Sequence, residues 1–136
     1  MMFGKKTKST IDTLIGVSTR IEGDIHFKGG LRIDGQVHGC VIAEPGSAGM
    51  LVISENARVE GAVRGAHLVI NGEIVGAVHS SELLELQPKA RITGDVVYKA
   101  LEMHGGAVVS GRLTPGEGAE PLLKLAAVNM ITSERL

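Results

Sequence analysis

Residues 57–65 read ARVEGAVRG and residues 68–76 read LVINGEIVG. Both contain aliphatic-x-Gly-x-aliphatic, as VEGAV at 59–63 and INGEI at 70–74. Working outward, the pattern returns as IEGDI (21–25), IDGQV (33–37), ITGDV (92–96) and VSGRL (109–113), six copies in all. Aliphatics recurring at steps of two mark strands with one buried face. The glycine is expected inward between them, a place that suits it where the chain bends or another backbone comes close.

A second ladder sets the period. Leu31-x-Ile33, Leu51-x-Ile53, Leu68-x-Ile70, Leu84-x-Leu86 and Leu101-x-Met103 follow one another at 20, 17, 16 and 17 residues. Leu14, 17 residues before Leu31, reads as a degenerate first copy. The long step holds Pro45-Gly46-Ser47-Ala48-Gly49, a turn-rich insertion. Central glycines fall four or ten residues after the local leucine, offsets that differ by six. A period near 17 made of units near six describes a coil with three short strands per turn. The sequence therefore predicts an all-β fold, a parallel β-solenoid (β-helix) of about six turns over residues 14–114. Six turns spaced ~4.8 Å apart make a rod roughly 29 Å long. Flanking it are an N-terminal tail, 1–13, and a C-terminal tail, 115–136, disordered or a short helix.

Composition fits a narrow prism. The chain is 43% hydrophobic but 2% aromatic, with only Phe3, Phe27 and Tyr98, as expected where the interior leaves little room for rings. Fourteen basic residues against fifteen acidic leave no field to hold nucleic acid, and stacking platforms are nearly absent, so no nucleic-acid partner is expected. Cys40 is the sole cysteine, which rules out an internal disulfide and reads as a buried structural thiol. Neither a signal-peptide core nor a run approaching ~20 apolar residues is present, so the expected location is cytoplasmic.

A solenoid has two ends with unpaired backbone groups, which soluble repeat proteins cover with polar caps or charges. Here the last turn stays apolar through Leu101, Met103, Val108, Val109 and Leu113 until Thr114-Pro115-Gly116 breaks it. The first, around Leu14, Ile15, Val17 and Ile21, is equally aliphatic. Two readings follow: these residues meet the ends of other molecules, or the tail beyond residue 116 folds back as a cap.

Residues 19–25 (TRIEGDI), 31–39 (LRIDGQVHG), 57–65, 68–76 and 90–96 (ARITGDV) in this order and spacing resemble the bactofilin family over about residues 18–115. The resemblance implies a right-handed triangular β-helix that polymerises without nucleotide into bacterial cytoskeletal filaments. It also implies scaffolding of cell-wall enzymes or other envelope and morphogenesis proteins, often with membrane attachment. It favours self-assembly through the ends over the cap.

The tails carry their own signals. Met1, Met2 and Phe3 stand beside Lys5, Lys6 and Lys8, an apolar tip and a basic cluster suited to anionic inner-membrane lipid. The resemblance supports that use, placing the protein peripherally on the cytoplasmic face. Residues 121–131 (PLLKLAAVNMI) start with a helix-compatible proline and are too short to span a bilayer, so a mobile or partner-binding tail is expected.

Catalysis finds little support. Trimeric solenoid enzymes of the hexapeptide acyltransferase or gamma-carbonic-anhydrase kind are the alternative, and they need a strict six-residue beat or convergent imidazoles. The leucine steps drift from eighteen, and His26, His38 and His79 each follow an inward aliphatic and should point outward. Asp24, Asp34 and Asp95 read as solvated ladders. No P-loop, dinucleotide fingerprint or nucleophile triad is present, so no cofactor, metal or catalytic residue is expected.

Overall fold

The structure, a computed structural model, describes residues 11–116, and these form sixteen short strands with no helix among the described residues. The first turn comprises β1 (Thr13–Ile15), β2 (Arg20–Glu22) and β3 (Ile25–Phe27). The second holds β4 (Leu31–Ile33), β5 (Gln36–His38) and β6 (Val41–Ala43). β7 (Met50–Ile53), β8 (Arg58–Glu60) and the start of β9 (Val63–Ile70) make the third. The end of β9, β10 (Glu73–Val75) and the start of β11 (Val78–Leu86) make the fourth. The fifth takes the end of β11, β12 (Arg91–Thr93) and β13 (Val96–Tyr98); the sixth is β14 (Ala100–Met103), β15 (Val108–Ser110) and β16 (Leu113–Pro115). Every pairing between turns is parallel. The fold is a six-turn, three-faced β-solenoid.

In-register stacking turns each sequence ladder into a column. On the first face Leu31, Leu51, Leu68, Leu84 and Leu101 lie one upon another, beside Ile33, Ile53, Ile70, Leu86 and Met103. The second face stacks Ile21, Val37, Val59, Ile74, Ile92 and Val109. The third stacks Ile25, Val41, Val63, Val78, Val96 and Leu113. Branched side chains suit such strands because they pack against their own kind above and below.

The glycine motif does not run along a strand with glycine inward; it crosses a corner. Val59 is the central residue of β8, Gly61 makes the bend and Val63 opens β9. Gly23, Gly39, Gly61, Gly76, Gly94 and Gly111 stack at that corner with φ from 123° to 155°, and each after Gly23 faces the carbonyl of the glycine before it. At the corner between the first and second faces, most turns use a wide bend closed by a backbone bond such as Ala57 N to Ser54 O (2.9 Å). Asp34-Gly35 and Asn71-Gly72 instead cut the corner short. Mixed wide and tight corners, together with the 44–49 insertion, explain why the period drifts.

Three expectations need correction. Thr13, not Leu14, is in register with Leu31, so Leu14 points outward and the first step is eighteen residues. Tyr98 is 1% exposed, so the prism does admit a ring. Its column supplies the space: Gly65 pairs with Ser80, and Ser80 immediately precedes the level of Tyr98. Cys40 is half-buried rather than enclosed.

Candidate polymerisation surfaces

Within the three stacked aliphatic columns, exposure rises only in the first and last turns. Val37, Val59 and Ile74 are completely buried, whereas in the same column Val109 is 7% exposed and Ile21 is half-buried. Leu113 at 6% and Ile15 at 8% repeat the trend. Among the described residues each terminal turn pairs with a neighbouring turn on one side only, so its aliphatics and one edge of its three strands face outward along the axis.

At the N-terminal end, Ile15, Ile21, Ile25, Phe27 and Leu31 line a hollow of about 440 Å³ rimmed by Thr13, His26 and Lys28. Ile25 and Phe27 were not among the interface residues expected from the sequence, although IEGDI at 21–25 already carried the second inward aliphatic. At the C-terminal end Leu101, Met103, Val109 and Leu113 come together, with Ala107 packed against them. Leu14, Val17 and Val108 do not join these surfaces. They are 60%, 66% and 50% exposed and stand on the sides of the rod. Met1, Met2, Phe3, Lys5, Lys6 and Lys8, and residues 121–131, lie outside the described residues.

Polar side chains mostly brace the coil. Asp24 Oδ1 accepts from Cys40 N (2.8 Å) and Asp95 Oδ1 from Arg112 N (3.1 Å), so these two carboxylates tie one turn to the next rather than forming a free ladder. Asp34 instead accepts from Arg32 Nε (3.1 Å). On the second face Arg58 binds Glu60 (2.9 Å) and Glu73 (2.7 Å). Hydrogen bonding to Arg58 holds the Glu60 carboxyl below the usual carboxylate range.

The histidines do not converge. His26 is exposed, and His38 and His79 are half-buried on outward positions. His38 lies 3.5 Å from Glu22. Among the described residues one group brings three metal-capable atoms within 4.8 Å, namely Glu85, Glu102 and His104 on the outside of the last two turns. His104 Nε2 lies 3.6 Å from Glu85 Oε2, and strand register sets Glu85 and Glu102 side by side.

A family model described as "Bactofilin: Polymer-forming cytoskeletal" matches residues 13–114, almost the whole solenoid. This places the chain among polymer-forming cytoskeletal β-solenoid proteins. Bactofilin BacO of Myxococcus xanthus (strain DK1622) is 26% identical over 111 residues, 82% of this chain and 85% of that protein. A cryo-EM reconstruction of Thermus thermophilus bactofilin double helical filaments matches with TM-score 0.65 and 35% identity, covering 76% of this chain and 99% of that one. The chain belongs to the bactofilin family.

Proposed function

We propose that this protein is a non-enzymatic scaffold whose solenoids stack end to end into filaments without nucleotide. The observation that carries the reading is that exposure of the stacked aliphatic columns rises only in the first and last turns. Each end also offers three edge strands. A backbone hydrogen bond gained there contributes about 0.5–1.5 kcal/mol, and each apolar side chain newly covered about 1.5–3 kcal/mol at most. Docking entropy of roughly 4–15 kcal/mol opposes these gains, so both the ladder and the apolar contact are needed. The N-terminal peptide attaches the filament to anionic lipid of the inner membrane, and the filament there organises envelope or morphogenesis proteins, cell-wall enzymes among them.

Negative-stain microscopy of the purified full chain, with no nucleotide or metal, tests the core of this reading. Wild type is expected to form filaments. Leu113→Arg, which sets a charge on the C-terminal end, is expected to leave short particles with an unchanged β-rich circular dichroism spectrum. Unchanged filaments in that variant would remove the C-terminal contact.

A further inference from the structure

The coil itself gathers Glu85, Glu102 and His104 on the side of the rod. Glu102 and His104 stand two residues apart, on β14 and just beyond it, and both are exposed. Glu85 lies one turn earlier on β11, in direct register with Glu102. Strands paired this way run about 4.8 Å apart, and like charges directly opposite one another cost stability unless a cation stands by. Elsewhere strand carboxylates have a guanidinium: Glu22 has Arg20 (2.6 Å), and Arg58 serves both Glu60 (2.9 Å) and Glu73 (2.7 Å). Among the described residues no lysine or arginine pairs with Glu85 or Glu102. An imidazole stands beside them instead. His104 Nε2 is 3.6 Å from Glu85 Oε2, and one ligand atom from each of the three residues lies within 4.8 Å of the others. Gln87 Nε2 donates to the same Glu85 oxygen and holds that carboxylate in place.

We propose that Glu85, Glu102 and His104 bind one divalent transition-metal ion, of the zinc or nickel kind, which ties the last turn to the fifth. Two carboxylate oxygens with one imidazole nitrogen suit such an ion, whereas Mg²⁺ and Ca²⁺ prefer oxygen ligands alone. With metal–ligand bonds of about 2.0–2.2 Å, tetrahedral ligand atoms sit about 3.4 Å apart. The 3.6 Å pair is already near that spacing, and the exposed Glu102 side chain closes the remainder by rotation. Three protein ligands leave a further position for water.

The ligands come from both sides of a turn boundary, so the ion bridges β11 and β14. That pairing is the one β14 makes among the described residues, and it belongs to the turn whose outer edge is open. An ion that binds only the folded rod shifts folding by mass action, so free metal at about 100 times its dissociation constant raises the folding constant roughly 100-fold. The site lies on the flank of the rod and away from its end surfaces. It therefore stands independently of the filament reading, in which assembly needs no metal.

Isothermal titration calorimetry of the full chain with ZnCl₂, and separately with MgCl₂, tests the site. One zinc per chain is expected, bound at least about tenfold more weakly by His104→Ala and by Glu102→Gln. His26→Ala, which removes an exposed imidazole elsewhere, should bind zinc as wild type does. All three substitutions fall on exposed side chains, so the β-rich circular dichroism spectrum is expected to stay unchanged. Amide hydrogen exchange reads the bridge: zinc should slow exchange in β14 of wild type and not of His104→Ala. Zinc binding of wild-type strength in His104→Ala, magnesium bound as tightly as zinc, or no zinc bound by wild type overturns the site. Zinc bound through these residues with unchanged exchange in β14 overturns the bridge between turns.

Discussion

Gly61 stacks on Gly39 so closely that a Cβ on Gly61 would lie 2.2 Å from the Gly39 carbonyl oxygen. Its φ of +152° is also one that L side chains rarely adopt. The obstructing atom is backbone in the turn below, so relief requires the stacked turns to move apart. Gly61→Ala is expected to destabilise the fold by about 2–5 kcal/mol, combining backbone strain and overpacking. Gly23 has a φ of +123° but nothing within 4 Å of its Cβ position, so Gly23→Ala should lose only about 1–3 kcal/mol. Urea titrations of both variants check the difference. Equal losses would show that φ alone, not stacking, demands the glycine.

Tyr98 sits at 1% exposure in a column whose earlier levels include Gly65 and Ser80. Ser80 is itself buried and donates to Ala66 O (2.9 Å), so the small residues are fixed in place. Tyr98→Ala should destabilise by about 3–5 kcal/mol, and Tyr98→Phe by less than about 1.5 kcal/mol. Burial also raises the phenol pKa above its ordinary value near 10. A pKa raised on folding means that the neutral phenol favours the folded state. The associated stability is fully present below pH ~10 and is lost as pH rises through the folded pKa. Absorbance titration at 295 nm should therefore show ionisation above the free-tyrosine range, and unfolding in urea should return it to about 10.

The fold was legible because alternation by two, corner glycines and the leucine ladder are all local signals that repeat. Stacking forces each level to reuse the same inward positions, so six weak copies reinforce one reading. The phase of the first turn was not legible. Leu14 is the stronger hydrophobe, yet Thr13 takes the register position, because the outermost turn borders water and tolerates a hydroxyl there. Tyr98 was misjudged for a different reason: the space it fills is made by Gly65 and Ser80, which are 33 and 18 residues away in the chain. The end surfaces were half legible. Ile15, Ile21, Leu101, Met103, Val109 and Leu113 follow from inward alternation in the first and last turns, whereas placing Ile25 and Phe27 required knowing where the third strand of the first turn lies.

The carboxylates at the second corner contribute through backbone contacts that spacing does not reveal. Asp95 Oδ1 accepts from Arg112 N at 3.1 Å, 17 residues on. Asp95→Ala removes the acceptor at an exposed site, where water replaces it in part, so a loss of about 0.5–1.5 kcal/mol is expected. Asp95→Asn retains an oxygen and should recover most of it. Amide exchange at Arg112 reads the bond directly. Unchanged protection in Asp95→Ala would assign the residue to solubility instead.

The proposed membrane attachment rests on the sequence chemistry of Phe3, Lys5 and Lys6. Each lysine near an anionic surface contributes about 1 kcal/mol, too little for one chain, but a filament presents many peptides together. Filaments are expected to co-sediment with vesicles containing anionic lipid and not with neutral ones. Phe3→Ala with Lys5→Gln and Lys6→Gln should reduce sedimentation several-fold while leaving filaments intact. Equal sedimentation of the triple variant would exclude the peptide as the anchor.

Val59 and Val109 occupy the same column, three turns apart, and separate folding from assembly. Val59 is completely buried between turns, so Val59→Lys places an unpaired charge where no route to water exists and should unfold the rod. Val109 lies in the last turn with 7% of its surface still open, and a lysine there can carry its ammonium out along the axis. Val109→Lys is therefore expected to keep the β-rich spectrum and a cooperative unfolding transition while abolishing filament growth. Sedimentation velocity should show a small uniform species in place of polymer. If Val109→Lys unfolds like Val59→Lys, the last turn is enclosed rather than open; if it still polymerises, the growing contact lies elsewhere on the rod.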